Sequence, residues 1–172
     1  MMIKRAQERD FLVIAALDRE AWKGNRAGEF IPDGEHAWRH WVEHALVFVA
    51  REAGGEGEDA ATAASTVPGE AATRVVGAAL AFPCDSGAWC VHKLFVEPAR
   101  RGVGIGGRLL AALLAELDRR KLSCFLTVDP ENRAAIALYE ARGFTDKRLV
   151  KGYYRANEDR YVMSRWPVPS GG

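Results

Sequence analysis

One stretch limits this chain's fold more than any other. A strand-forming run, Trp89-Cys90-Val91-His92-Lys93-Leu94-Phe95-Val96, empties into Glu97-Pro98-Ala99-Arg100-Arg101-Gly102-Val103-Gly104-Ile105-Gly106-Gly107, and the pattern turns helical over residues 108–120. The first N–H groups of a helix have no acceptor within it, and the helix dipole puts partial positive charge there. Glycine lets that backbone approach an anion with no side chain in the way. Arg100 and Arg101 add permanent charge and forked donors. Four glycines, Gly102, Gly104, Gly106 and Gly107, within six residues favour a phosphate cradle over an ordinary strand-to-helix turn.

Two patterns fit these glycines. Gly102, Gly104 and Gly107 satisfy G-x-G-x-x-G, and Asp129 stands where a ribose-binding acid belongs in a dinucleotide site. A dinucleotide turn follows its strand directly, however. Here residues 97–101 intervene, Pro98 stops the ladder, and too few residues follow for a doubly wound sheet. The alternative, [R/Q]-x-x-G-x-[G/A], is matched by Arg101-Gly102-Val103-Gly104-Ile105-Gly106. A second block, Asn132-Arg133-Ala134-Ala135-Ile136-Ala137-Leu138-Tyr139-Glu140-Ala141-Arg142-Gly143-Phe144, reads as a short amphipathic helix over residues 132–142 with Gly143 as its C-terminal cap. Together the two blocks resemble the coenzyme A loop and the N-x-x-A-x-x-x-Y-x-x-x-G-F segment of the GNAT superfamily of N-acetyltransferases, over about residues 75–165.

That resemblance implies an α/β (α+β) fold: one mixed, mostly antiparallel twisted sheet with helices on both faces and central parallel strands that splay apart. It implies acetyl-CoA as cosubstrate and direct transfer of the acetyl group to a primary amine in a ternary complex. Its diphosphate would lie on Arg101, Gly102, Val103, Gly104, Ile105, Gly106 and Gly107. The pantetheine arm would follow the backbone of Leu94, Phe95 and Val96, with the Val96 N–H at the thioester oxygen; Asn132 and Tyr139 complete the coenzyme set. Tyr139 matches the family's acid, because a phenol can return a proton to the leaving thiolate. Many relatives carry a glutamate where this chain has Cys90. His92, two residues on and on the same strand face, matches the second histidine of the arylalkylamine acetyltransferases and is the candidate base or water relay. An acyl-enzyme on Cys90 is outweighed by a small buried residue.

The run Lys151-Gly152-Tyr153-Tyr154 through Glu158-Asp159 to Met163 resembles the protein N-terminal acetyltransferases, including the ribosomal-protein type, whose paired tyrosines wall the peptide N-terminus. That type also carries a catalytic glutamate where this chain has Thr127. Tyr153 and Tyr154 are read either as acceptor contacts or as an aromatic pair covering a sheet edge.

The rest of the chain frames this core. Residues 2–5 read as a strand. Residues 8–22 read as a helix whose stripe of Phe11, Ile14, Ala15, Leu17 and Ala21 is broken by Asp18. Residues 23–34 are a loop by composition. The family places the acceptor beside this region, which makes Phe30, Glu29 and Glu35 substrate candidates. Residues 35–45 form a helix with Trp38, Trp41, Val42 and Ala45 on one face and His36, His40 and His44 on the other. Three histidines in register suit a metal, but no second cluster supports one, so an exposed polar face is preferred. Strands follow at 46–51 and 75–82, separated by an aperiodic insertion at 52–74 read as a mobile hairpin. Residues 83–87 turn the chain into the central strand. A buried strand over 122–128 follows the central helix by a right-handed parallel crossover. Residues 145–154 and 161–166 form a closing antiparallel pair, and residues 167–172 a frayed tail.

At 172 residues the chain is read as a single domain over 1–166. A net charge of +1 leaves no electrostatic footprint for nucleic acid or anionic membranes. Cys84, Cys90 and Cys124 are odd in number and scattered, against a disulfide framework or a zinc knuckle. The amino-terminal residues lead into Glu8, Arg9 and Asp10 rather than an apolar run, so a cytoplasmic enzyme is expected. Its partners are an amine, small molecule or peptide N-terminus, with no metal, and the resemblance admits a homodimer. Two other readings stay open: a silent acyl-CoA-binding sensor, and a dinucleotide oxidoreductase.

Overall fold

The computed structural model describes residues 1–23, 32–53 and 73–168. The elements run β1 Met2–Arg5, α1 Phe11–Lys23, α2 Glu35–His44, β2 Leu46–Ala53, β3 Thr73–Pro83, β4 Trp89–Val96, α3 Ile105–Arg119, β5 Cys124–Val128, α4 Arg133–Glu140, β6 Asp146–Val150 and β7 Arg160–Arg165, with 3-10 turns at Glu8–Asp10 and Pro98–Arg100. The strands form one mixed seven-stranded sheet in the order β1-β2-β3-β4-β5-β7-β6. The described residues group into two compact units: Met1–Leu80 with Lys93–Leu113, and Ala81–His92 with Leu114–Gly172.

In the first unit β1 lies antiparallel to β2, from Met2 opposite Arg51 to Arg5 opposite Phe48. Ile14, Ala15, Trp38, Leu46, Val49, Val76, Leu80, Leu109, Leu110 and Leu113 are its buried centre. A Cβ on Gly77 would lie 2.8 Å from the Phe95 carbonyl oxygen, so only glycine lets β3 come this close to the last turn of β4. Asp10 caps its 3-10 turn by accepting the Gln7 N–H at 2.8 Å and is paired with Arg51 at 2.5 Å.

In the second unit β4 and β5 run parallel, pairing Trp89 with Cys124 and Cys90 with Phe125. β5 is antiparallel to β7 along its whole length, from Cys124 opposite Arg165 to Val128 opposite Tyr161. β6 closes the sheet against β7, from Asp146 opposite Ser164 to Val150 opposite Arg160. Leu117, Leu126, Phe144 and Met163 are buried here. Arg165 ties β7 to α3 by donating two hydrogen bonds of 2.7 Å to Asp118.

Several expected boundaries move, each for a local reason. The central helix starts at Ile105 rather than residue 108, because the Gly104 carbonyl already accepts the Arg108 N–H at 3.1 Å. The next strand starts at Cys124 rather than 122. Lys121 adopts φ 58° and the Leu122 N–H reaches back to the Leu117 carbonyl at 2.9 Å, a six-to-one helix cap that absorbs both residues. The closing pair stops at Val150, not 154: Gly152 turns at φ 59° and donates to Asp159 at 2.9 Å, so Tyr153 and Tyr154 stand on a hairpin loop and not on a strand. The first helix is split into the 3-10 turn and α1. Residues 52, 53, 73 and 74, assigned above to the insertion, extend β2 and β3; the remaining insertion and residues 169–172 lie outside the described residues.

Candidate functional site

The glycine loop of the first unit has the geometry of an anion cradle. Gly102 and Gly104 stand at φ 82° and 81°, the left-handed region that other residues enter only with strain. Such alternation turns successive N–H groups to one side, and the loop runs straight into the first turn of α3. A Cβ at either glycine would meet nothing within 4 Å, so that side of the loop is open. The two arginines play different parts. Arg101 donates from Nε to the Val96 carbonyl at 3.0 Å and from an Nη to the Ala21 carbonyl at 3.2 Å, which latches the loop to the end of β4. Arg100 is paired with Glu52 at 3.0 Å. Glu52 also meets Arg74, and Arg74 meets Glu97, each at 2.9 Å. Burial pushes the Glu52 carboxyl up, but the hydrogen bonds from Arg100 and Arg74 outweigh it and hold it below its ordinary value. Arg100 is therefore charge-matched, and Arg101 is the arginine that serves the loop.

In the second unit the β4–β5 register sets which side chains share a face. Residues opposite each other in a parallel pair point the same way, and faces alternate along each strand. Cys90 opposite Phe125 therefore puts His92 and Thr127, each two residues on, on that same face. The ladder pairs only the first two residues of β5 with β4, so the edge of β5 from Leu126 onward is open toward β4. His92 is exposed and its ring packs edge-on to Phe82 at 5.4 Å. Thr127 Oγ1 and Tyr154 Oη share a hydrogen bond of 2.8 Å. Tyr154 also packs edge-on to Tyr153 at 4.7 Å and lies under the Arg160 guanidinium at 5.4 Å. Both tyrosines are exposed although they are held in place.

Tyr139 is on the last turn of α4, edge-on to Phe144 at 5.9 Å. Gly143 at φ 87° caps that helix, and the Phe144 N–H returns to the Tyr139 carbonyl at 3.2 Å. Burial pushes the Tyr139 phenol above its ordinary value, so it is protonated at neutral pH. Asn132 is the N-cap, its Oδ1 accepting the Ala135 N–H at 3.1 Å. Burial, followed by the neighbouring Cys84 and Cys124, pushes the Cys90 thiol up to about 12, which removes the thiolate an acyl-enzyme would need.

Glu35 opens α2, where the helix dipole favours an acid, and is paired with Arg19 at 3.4 Å. His36, His40 and His44 line the exposed face of α2. No group of three potential ligands that could hold a metal occurs among the described residues. Nor is any described helix long and apolar enough to cross a membrane. Phe30 and Glu29 lie outside the described residues.

One cluster in the first unit escaped sequence reading. Lys93, buried on β4, is paired with Asp18 of α1 at 3.2 Å and with Asp33 at 2.9 Å. Asp18 also accepts from Trp38 Nε1 and from the Asp33 N–H, both at 3.1 Å. The signal was present: one acid in the apolar stripe of α1 and one lysine at an inward position of an apolar strand. Two opposite charges facing one core must meet.

The family model described as "Acetyltransferase (GNAT) family" matches residues 14–144, taking in the cradle, β4, β5 and α4. The chain belongs to the GNAT acetyltransferase family. It is 43% identical over 76 residues to the N-alpha-acetyltransferase RimI of Mycobacterium tuberculosis, covering 44% of this chain and 47% of that one. It is 38% identical over 71 residues to the [ribosomal protein bS18]-alanine N-acetyltransferase of Escherichia coli, covering 41% and 48%. The chain thus spans about half the length of these curated relatives. Among solved structures, the ribosomal-protein-S18-alanine N-acetyltransferase from Escherichia coli superposes with a TM-score of 0.71 at 22% identity, covering 99% of this chain and 96% of that one. Aminoglycoside 6'-acetyltransferase type Ii superposes with a TM-score of 0.70 at 18% identity, covering 99% and 100%. At these identities the superpositions establish a shared GNAT fold.

Proposed function

We propose that this GNAT protein moves the acetyl group of acetyl-CoA to the α-amine of a peptide or protein N-terminus by direct attack. The observation that carries this reading is the left-handed pair Gly102 and Gly104, latched by Arg101 and opening straight into α3. Backbone N–H groups of residues 102–107 bind the diphosphate, and α3 adds its dipole. The backbone of Leu94, Phe95 and Val96 receives the pantetheine arm, and the Val96 N–H stabilises negative charge on the thioester oxygen as the tetrahedral centre forms. The amine nitrogen bonds to the acyl carbon, the C–S bond breaks, and Tyr139 protonates the departing thiolate. Burial raises its phenol above the ordinary value, which keeps the proton on Tyr139 until the thiolate forms. His92, exposed on the open face of the sheet, removes the ammonium proton directly or through water. Thr127 has no charge to offer in that role. Tyr153 and Tyr154 wall the peptide, a reading supported by relatives named for N-terminal acetylation. A soluble cytoplasmic setting goes with such a substrate.

The test is release of free thiol from acetyl-CoA across short peptides, arylalkylamines, polyamines and aminoglycosides, with calorimetric titration of coenzyme A alongside. Turnover with peptides supports the reading. Coenzyme binding without turnover of any amine would instead make the chain an acyl-CoA sensor, and binding of NAD but not coenzyme A would return it to the dinucleotide class.

A further inference from the structure

The hairpin between β6 and β7 is stapled from within. The Gly152 N–H donates to Asp159 at 2.9 Å. The Tyr153 N–H reaches the Glu158 carbonyl at 2.9 Å, and the Glu158 N–H reaches the Arg155 carbonyl at 2.8 Å. Glu158 is paired with Arg155 at 2.8 Å and with Arg160, whose guanidinium lies over the Tyr154 ring at 5.4 Å. These contacts all close within residues 152–160. They set the shape of the loop and leave the direction of its exposed rings to contacts with the sheet.

Thr127 makes such a contact. It stands on β5 opposite Val162 of β7, one pair inside the Val128–Tyr161 end of the ladder. Its Oγ1 lies 2.8 Å from Tyr154 Oη. A ring that followed the line of the strands would pass beyond the end of β5; bonded inside the ladder, Tyr154 is turned back over a face of the sheet. Cys124, Leu126 and Val128 are buried on one face of β5, while Phe125 and Thr127 stand half-buried on the other. That second face is the one Thr127 shares with Cys90 and His92. Tyr153 follows Tyr154, edge-on at 4.7 Å. Burial, followed by Tyr154, Cys90 and Cys84, pushes the Tyr153 phenol up, in keeping with a ring turned toward Cys90. The β-branched Thr127 is stiff at χ1 and suits an anchor. Ordering a loose side chain when a ligand arrives weakens binding, and a bond that orders it beforehand removes that cost.

We infer that Thr127 is a positioning residue for the acceptor: its hydroxyl holds Tyr154, and with it Tyr153, over the sheet face that carries His92, so that the tyrosine wall stands ready before the peptide binds. This rests on the acceptor reading above and deepens it. The experiment compares Thr127→Val, Tyr154→Phe, the double variant and Thr127→Ser. Each is assayed for kcat and KM with a tetrapeptide of free amino terminus, for coenzyme A affinity by calorimetry and for Tm. Thr127→Val keeps the shape of the strand residue and Tyr154→Phe keeps the ring, so each removes one hydroxyl. Both should raise the peptide KM by about two- to tenfold, the range of one neutral hydrogen bond, with kcat and coenzyme affinity nearly unchanged. The double variant should be no worse than the more affected single variant, and Thr127→Ser should restore the unmodified KM. An unmoved KM in folded Thr127→Val overturns the inference while leaving acetyl transfer standing, whether or not Tm falls. Independent effects that multiply in the double variant do the same, as does a loss confined to kcat, which would put Thr127 in proton transfer. Should Thr127→Val fail to fold, Tyr154→Phe against Thr127→Ser decides: an unmoved KM in Tyr154→Phe overturns the inference. Coenzyme binding with no peptide turned over by the unmodified protein removes the acceptor reading, and this inference falls with it.

Discussion

Replacing Gly104 with alanine separates the cost of an unnatural backbone from the cost of losing a ligand site, because the fold supplies a matched control. Gly104 and Gly87 share φ 81° and neither has an atom within 4 Å of an added Cβ. A left-handed alanine is strained by about 1–2 kcal/mol, and the stiffer unfolded chain offsets about 0.4–1 kcal/mol of that. Each variant should therefore lose about 1 kcal/mol, or about 2–4 °C in Tm for a chain of this size. Only Gly104→Ala disturbs amides aimed at the diphosphate. Charge-assisted hydrogen bonds are worth about 1.5–3 kcal/mol each, so misaligning one of them weakens coenzyme A binding about tenfold or more. Thermal melts without ligand and calorimetric titration with coenzyme A on both variants decide it. Equal coenzyme affinity in Gly104→Ala and Gly87→Ala would mean that the loop is strained for a reason other than phosphate binding.

Tyr139→Phe should lower kcat about 10²-fold, the lower end for a lost general acid, with the Kd for coenzyme A nearly unchanged; an undiminished kcat removes Tyr139 from that role. Cys90→Ala should retain turnover within a few-fold, and mass spectrometry after mixing with acetyl-CoA should find no acetyl group on Cys90 in the unmodified protein; a covalent adduct there contradicts direct transfer. Asp118→Asn leaves the buried Arg165 without its anion and should cost about 2–3 kcal/mol in denaturant melts; an unchanged midpoint refutes the pairing's weight. The hydrogen bonds from Arg165, opposed by burial, hold the Asp118 carboxyl below its ordinary value. The stability it contributes is thus complete above the unfolded carboxylate pKa and is lost as pH falls through the lower folded value. The acid limb of the stability profile should flatten in Asp118→Asn, and an unaltered limb would show that the pair does not titrate with folding.

Local rules made the centre of this chain readable. β4 occupies the run Trp89–Val96 because alternating inward Val91, Lys93 and Phe95 leave no other periodicity. The cradle followed from glycine spacing, and Gly143 ended α4 as a glycine after an amphipathic helix must. The misses came where tertiary partners override local signals. Lys121 took a left-handed cap position usually given to glycine, because Leu122 turns back onto Leu117. Tyr153 and Tyr154 have strand-forming side chains, yet Gly152 and its bond to Asp159 bend them into a loop. The two carbonyls that hold Arg101, those of Val96 and Ala21, are likewise contacts that no sequence pattern specifies. Lys93 with Asp18 and Asp33 required three distant segments to converge, and only the odd charge in each apolar stripe announced it.

The most direct measurement follows backbone amide resonances of the isotopically labelled protein as coenzyme A is added. The account predicts that the largest shifts fall on the N–H groups of residues 102–107, with the Arg101 side-chain Nε–H moving alongside. Saturable binding that leaves those amides unmoved and shifts another part of the chain would contradict it.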